Sequence, residues 1–394
     1  MPATARLQCT LEAVDSWSSA RAMTITTLHG TVQTPIFMPV ATQAVLRHVD
    51  TSVAADLAYE VLLANTYHLL LRPGPEVLSQ FGGIHTFMGW QRSILTDSGG
   101  FQIFSLPNHV SLSEEGARFR SYVDGAWITL TPERSIEMQG VIGSDIMMVL
   151  DHCVSSTSDR DTTRRALELT TRWAQRSLLA RGDSRQALFG IVQGGCIPEL
   201  RRESASQITS LGFDGYALGG LAVGESRAER EDITEGAAAL LPHDQPRYLM
   251  GVGTPIDLVE AVRRGMDMFD CILPTSLASQ GVCFTSRGKI DLRRGVYRTQ
   301  NIPLDPLCSC STCLRFSRAY LSHLTKTQEP VAAQLVSIHN LTFYRQLMDR
   351  MRRAILEGRF EQLYRAEAES LAGDDIDNPP RRPTQPQSNS EQQE

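Results

Sequence analysis

Apolar residues in this chain gather in short runs. Each run ends in a small or polar residue and gives way to an amphipathic stretch. Eight such runs stand out: PIFMPVAT, VLLANT, ILTDSGG, IMMVLDHC, ALFGIVQGG, GYALGG, RYLMGVG and MFDCILPT. Most of the intervening stretches have helical spacing. TTRRALELTTRWAQRSLLARG repeats its apolar residues every three or four positions and closes at Gly182, while PELRRESASQITSLG and TPIDLVEAVRRG also end at glycine. Strands that alternate with helices predict a parallel sheet covered on both faces. Eight repeats of that unit predict an α/β fold closed as a (β/α)8 TIM barrel, with an open doubly wound sheet as the alternative.

Two segments interrupt the alternation. Residues 101–140 contain FRSYVDGAWITLT, whose Asp124-Gly125 pair predicts a hairpin turn between two strands. Residues 281–330 hold a basic stretch and a cysteine cluster, and PVAAQLVSIHNLTFYRQLMDRMRRAILEG then reads as a closing helix. The expected organisation is one barrel over residues 1–375, a zinc-binding subdomain at about 300–345, and a tail over 376–394. That tail is polar and rich in Pro and Gln, which predicts disorder.

Composition narrows the function classes. The 394 residues carry a formal charge of -6, so the total demands no nucleic acid, although a local basic patch can bind phosphate on an acidic protein. No apolar run approaches the ~18 residues of a membrane span. MPATARLQCT lacks the apolar core of a signal peptide. Eight cysteines without such a signal predict thiols or metal ligands in a reducing cytoplasm.

The active site of a barrel lies at the carboxyl ends of its strands. There the sequence puts Asn65, Asp97, Asp151, Gln193, Gly220 and Asp270. An aspartate in such a place can simply cap the next helix. Three aspartates and a glutamine on one rim favour chemistry, with one carboxylate as nucleophile and another moving protons. Attack on an anomeric carbon suits such a pair. Ser98-Gly99-Gly100 and Gly219-Gly220 would let a flat ligand approach the backbone. Phe101 can stack on a ring or serve as core, and Asp151 with Gln193 can take the edge of a base. Cys271 follows Asp270 and is expected to face away from the site as a buried structural thiol. After Pro274 the chain is expected to form a loop of small uncharged residues.

PLCSCSTCLRF spaces Cys308, Cys310 and Cys313 as C-x-C-x2-C. Three thiolates this close need a cation, and tetrahedral Zn2+ needs a fourth ligand. His339 is the candidate, with His323 as runner-up. A Cys3His shell is closed and therefore structural. TSRGKIDLRRGVYRTQ carries Arg287, Lys289, Arg293, Arg294 and Arg298, a solvated charged face by default and a phosphate-contacting surface by its place beside the Asp270 strand.

NTYHLLLRPG, TDSGGFQIFSL, FGIVQGG, GGLAVGE, YLMGVG, DMFDCILPT and the C-x-C-x2-C…His cluster together resemble the tRNA-guanine transglycosylases, also called queuine tRNA-ribosyltransferases. The likeness is collinear over roughly residues 10–365. It implies a cytoplasmic (β/α)8 barrel with one structural Zn2+ per subunit, bound by Cys308, Cys310, Cys313 and His339, and usually a homodimer. It implies exchange of guanine at the wobble position of GUN-anticodon tRNA for a 7-deazaguanine, with no membrane partner. By motif, Asp270 is then the nucleophile that forms a covalent glycosyl-enzyme, and Asp97 the general acid/base. Ser98, Gly99, Gly100, Asp151, Gln193, Gly220 and Leu221 would surround the base, with Phe101 and Met250 sandwiching its ring. Gly251, Val252, Gly253, Thr254, Pro255, Ile256, Asp257, Thr275, Ser276, Leu277, Ala278 and Ser279 would meet RNA. Cys153 and Val223 resemble the bacterial pocket, which takes preQ1 rather than queuine.

Two departures stand against the likeness. His152 replaces the usual glutamate of Asp-Glu-Cys. Ser276 and Ser279 stand where the family places two arginines that contact the anticodon loop, and Gln280 follows. Serine offers one short hydroxyl where arginine offers a charged planar fork. The expectations are therefore a tRNA transglycosylase or, alternatively, a paralogous transglycosylase acting on another RNA or DNA site.

Overall fold

The computed structural model describes residues 6–104, 111–375 and 377. The eight apolar runs form eight strands: β1 (Ile36–Pro39), β2 (Val61–Ala64), β3 (Ser93–Thr96), β4 (Ile146–Met148), β5 (Ala187–Val192), β6 (Gly215–Leu218), β7 (Arg247–Leu249) and β8 (Met268–Cys271). Neighbours in sequence are neighbours in one parallel sheet, and β8 pairs with β1. A parallel bridge between Val40 and Leu63 joins the β1 side to β2 and closes the ring. The barrel prediction holds and the open-sheet alternative falls. Both faces of these strands are buried, which is why they read as unbroken apolar runs rather than alternating ones.

The predicted helices are present as Arg160–Arg181, Pro198–Thr209, Pro255–Arg263 and Pro330–Leu356. Asp159 caps the first by accepting from the Thr162 amide at 2.8 Å, and Gly182 ends it. FRSYVDGAWITLT forms the predicted hairpin, with Ala117–Arg120 antiparallel to Trp127–Leu130. A three-stranded sheet, Gln8–Val14, Arg21–Thr27 and Gly30–Thr34, closes the other end of the barrel. It is tied there by Arg21, which grips Asp267 with two bonds of 2.9 and 2.6 Å. Among the described residues no helix is long and apolar enough to cross a membrane. The expected tail, 376–394, lies outside the described residues apart from Asp377.

One local expectation fails. The stretch after Asp270 is not a loop: Leu273–Ala278 is a short helix, with Pro274 in its first turn. Proline lacks only an N–H that has no partner there and presets φ for the helix, so it starts this element instead of breaking it. The basic stretch is largely neutralised at home. Arg287 meets Asp375 and Asp377 at 3.4 and 3.1 Å, Lys289 meets Asp374 at 3.5 Å, and Arg293 meets Asp291 at 2.8 Å. These cations lie beside the chain's own carboxylates, which oppose a polyanion's approach.

Candidate active site

A cavity of about 450 Å³ opens at the carboxyl ends of the strands. Asp97, Ser98, Phe101, Asp151, Gly220, Leu221, Met250, Gly251 and Asp270 all line it. Residues more than 170 positions apart thus meet because each ends a barrel strand or lies within a few residues after one.

Asp97 follows β3 and is saturated with neutral donors. Oδ1 accepts from the Thr66 amide at 2.8 Å and the Gly99 amide at 3.2 Å. Oδ2 accepts from Gln102 Nε2 at 2.7 Å and from Asn65 Nδ2. Burial pushes this carboxyl up to about 6; the bonds from Asn65, Thr66 and Gln102 oppose that, and the nearby charge of Asp270 adds to it. Asp151 is alike. Gln193 Nε2 donates to its Oδ2 at 2.7 Å, Ser98 Oγ to its Oδ1 at 3.4 Å, and burial again pushes it up to about 6.

Asp270 is held differently. Tyr248 Oη donates to Oδ1 at 2.6 Å, and the Gly251 amide donates to the same oxygen at 2.7 Å. Burial raises this carboxyl, and those two bonds oppose the rise. Tyr248 was not singled out from the sequence, although a phenol within a buried strand needs a polar partner. Its own ionisation is pushed well upward by burial and by Asp270, so it stays a donor. Asn65, expected at a strand end, serves Asp97, and so do Thr66 and Gln102, whose local bonds no spacing rule exposes.

Some expected ligand contacts take other positions. Gln193 is buried behind the cavity wall with its amide on Asp151. Gly99 and Gly100 lie outside the lining; a Cβ on Gly100 would sit 2.8 Å from the Asp151 carbonyl oxygen, so this glycine lets two strand ends pack. Gly220 does face the cavity, in the left-handed region at φ +64°. Cys271 borders the cavity, but its Cβ and Sγ lie against Gly253, which is outside the lining and accepts from Tyr344 Oη of the helix Pro330–Leu356, so the side chain packs toward the helix layer. Burial pushes the Cys271 thiol up to about 12, as it does for Cys153, which also lines the site with Val223.

On the expected RNA-facing segments, Val252, Gly253, Pro255, Ile256, Thr275 and Ala278 are buried and shape the rim from beneath. Thr254 caps the helix Pro255–Arg263, and Asp257 pairs with Arg230 at 3.0 Å. Gly251 and Ser279 are exposed, and Ser276 and Leu277 half-buried. Ser279 Oγ meets His48 Nε2 at 2.7 Å, with Arg47 exposed beside that histidine.

The cysteine cluster forms apart from the cavity. One donor atom each from Cys308, Cys310, Cys313 and His339 lies within 4.8 Å of every other, and all four residues are buried. His339 Nε2 donates to the Phe284 carbonyl at 2.8 Å, which turns Nδ1 toward Cys313 Sγ at 3.3 Å and Cys310 Sγ at 3.7 Å. His323 is exposed and lies outside the cluster. Three thiols and one imidazole in a dry pocket are a donor set that suits a tetrahedral soft cation.

Comparison with known proteins agrees with this geometry. A family profile described as queuine tRNA-ribosyltransferase matches residues 15–372. The queuine tRNA-ribosyltransferase of Solidesulfovibrio magneticus is 52% identical over 355 residues, 90% of this chain and 95% of that protein. That of Moorella thermoacetica is 48% identical over 349 residues, 89% of this chain and 94% of its own. The chain belongs to the queuine tRNA-ribosyltransferase family, the pentosyltransferases also known as tRNA-guanine transglycosylases.

Proposed function

We propose that this protein exchanges guanine at the tRNA wobble position for a 7-deazaguanine by double displacement. The observation that carries the reading is the contrast between two carboxylates in one cavity. Asp270 receives both of its hydrogen bonds on Oδ1, which leaves Oδ2 to attack. Asp97 is buried, with a carboxyl near 6, poised to give and take a proton close to neutrality. In the first step Asp270 Oδ2 bonds to the ribose C1′ as the C1′–N9 bond of guanine breaks, and Asp97 gives a proton to the leaving base. In the second step Asp97 takes a proton from the incoming base, whose nitrogen attacks C1′ and releases Asp270. One glycosidic bond replaces another, so no redox cofactor or nucleoside triphosphate is consumed.

Phe101, half-exposed, and Met250 can hold the flat base between them, and Asp151 and Gly220 can read its edge. A base must leave the anticodon stack to enter, and these contacts repay that cost. Cys153 and Val223 in the lining favour the small precursor preQ1 as the incoming base. The Cys3His cluster is proposed to hold one structural Zn2+, which would neutralise the thiolates and fasten the helix Pro330–Leu356 to the segment that carries Cys308, Cys310 and Cys313.

Ser276 and Ser279 favour a second reading, the same chemistry on another RNA or on DNA. Incubation with labelled guanine and bulk tRNA, beside duplex and single-stranded DNA, separates the two. Label at the wobble guanine supports the first reading and label elsewhere the second. No incorporation into any polymer overturns both.

A further inference from the structure

The hairpin inserted after β3 presents an outward face that the proposed chemistry does not use. Its inner face is apolar: Ala117, Phe119 and Leu130 are buried, and Phe119 packs on Tyr67 with ring centroids 5.2 Å apart. Strand alternation puts Arg118, Arg120, Trp127 and Thr129 on the other side. The register sets Arg120 directly opposite Trp127, with Arg118 one pair along, opposite Thr129. Both guanidinia lie over the indole, at 4.9 Å for Arg118 and 5.1 Å for Arg120. Trp127 is 46% exposed and both arginines are exposed.

The charge on this face is uncompensated. Two arginines close to the hairpin are spent on carboxylates: Arg172 on Glu114 at 2.8 Å, and Arg176 on Glu133 at 2.7 Å. Among the described residues neither Arg118 nor Arg120 forms an ion pair. Their contact with Trp127 instead fixes two guanidinia side by side, so less side-chain freedom is lost when they bind. Two guanidinia held over one ring offer forks of donors that fit phosphate oxygens.

The tip of the hairpin reaches the cavity mouth from its inner side, where the Tyr122 ring packs on Tyr67 as Phe119 does. Tyr122, at the hairpin tip two residues from Arg120, is half-exposed, and its hydroxyl meets His68 Nδ1 at 3.3 Å. His68 lines the cavity. Two residues of strand span about 7 Å. We propose that Arg118, Arg120 and Trp127 form a phosphate-binding platform for the RNA strand flanking the nucleotide held in the cavity. This rests on the cavity being a site for polynucleotide RNA. It places cationic contact on the hairpin side of the mouth, opposite in sequence and chemistry to the uncharged Ser276 and Ser279.

The test is direct binding of a fluorescent anticodon stem–loop RNA to the full chain, by anisotropy, between 50 and 300 mM salt as a range on the order of that used for such slopes. Loss of two phosphate contacts in the Arg118→Gln, Arg120→Gln double variant should flatten the slope of log affinity against log salt by about 1.4. Trp127→Ala should weaken binding about tenfold by freeing the guanidinia, and Trp127→Phe, which keeps an aromatic face, should recover most of it. Guanine exchange at saturating RNA should be unchanged in all three. Affinity and slope equal to wild type in the double variant overturn the platform, as does a wild-type chain that does not bind the RNA. A wild type that binds RNA with the predicted slopes yet exchanges no guanine overturns the catalytic reading and leaves the platform standing.

Discussion

The two ends of the barrel carry buried aspartates in opposite circumstances. Asp145, Asp214 and Asp267 each stand one residue before a strand, β4, β6 and β8. Each has a cationic or potentially cationic partner. Asp267 takes the Arg21 fork, Asp214 takes Arg181, and Asp145 meets His29 at 3.0 Å and His85 at 3.4 Å. Burial alone would raise Asp145, but His85, the Ile94 amide and His29 outweigh it and hold this carboxyl below its ordinary range. Asp97, Asp151 and Asp270, at the other end, have only neutral donors, and all three are raised. Strand β8 shows both cases three residues apart in Asp267 and Asp270. A carboxylate that has only to stay charged is given a cation. One that must bond to carbon or move a proton cannot be pinned in that way.

The sharpest way to break this comparison is to neutralise both ends of β8. Asp270→Asn should lower guanine exchange by about 10⁴-fold or more while leaving the urea midpoint near wild type. Arg21→Met should do the reverse. It strands Asp267, which is fully buried, at a cost of about 3–5 kcal/mol, with exchange per folded molecule preserved. If Arg21→Met loses activity and keeps stability, the division between the two ends is wrong.

The pH dependence of stability should also separate the ends. Asp97 and Asp151 rise from 3.8 to about 6 on folding, so the folded chain holds their protons more tightly. Their contribution is fully present below about pH 4 and is lost as pH rises through 6, at a linkage cost of about 3 kcal/mol each. Asp145 has the opposite sign: its contribution is present above its ordinary value and lost as pH falls. Urea unfolding from pH 4.5 to 8 should therefore show a declining component near pH 6 that Asp97→Asn reduces. Exchange activity should fall on the alkaline side of the same region, as Asp97 loses the proton that it gives to the departing guanine. A stability profile identical in Asp97→Asn would remove that residue from the account.

The fold was legible because buried parallel strands leave an unmistakable trace. All eight runs became strands, and the inserted hairpin followed from Asp124-Gly125. The members of the site were legible for the same reason, since strand ends in a closed barrel must converge. Their support was not. Tyr248 differs from a core tyrosine only in the oxygen it touches, and Gln102 reaches Asp97 from the next helix. Pro274 was misread because it follows the strand end and starts a helix, where proline's reputation as a breaker does not apply.

Tyr248→Phe tests that hidden support. It removes one of two bonds to Asp270 Oδ1 without changing the shape of the wall. A hydrogen bond to a charged group is worth about 2 kcal/mol, so exchange should fall roughly 30-fold. Because the lost bond held Asp270 down, its carboxyl should rise further and the acid limb of the activity profile should move to higher pH. A rate unchanged at all pH values would mean that the Gly251 amide alone fixes the nucleophile.

The smallest effect is expected at the rim, where the contrast between charged and neutral settings is least developed. Ser279 is exposed at the end of the helix Leu273–Ala278, and Ser276 is half-buried one turn earlier, so both positions have room for a longer side chain. Their present partners are weak: Ser279 Oγ meets His48, a histidine that burial and neighbouring Arg47 bias toward its neutral form. Arginine at both positions would add two donor forks at the mouth without touching Asp97, Asp151 or Asp270. Ser276→Arg with Ser279→Arg should lower the KM for a GUN-anticodon tRNA about fivefold and leave kcat unchanged. A lower KM for every RNA alike would mean only that charge was added. A gain confined to the wobble-guanine substrate would mean that the serine rim sets how loosely this chain holds an anticodon whose chemistry it keeps intact. No gain at all would detach these two serines from RNA recognition and leave the Arg118–Trp127 face as the cationic contact of the mouth.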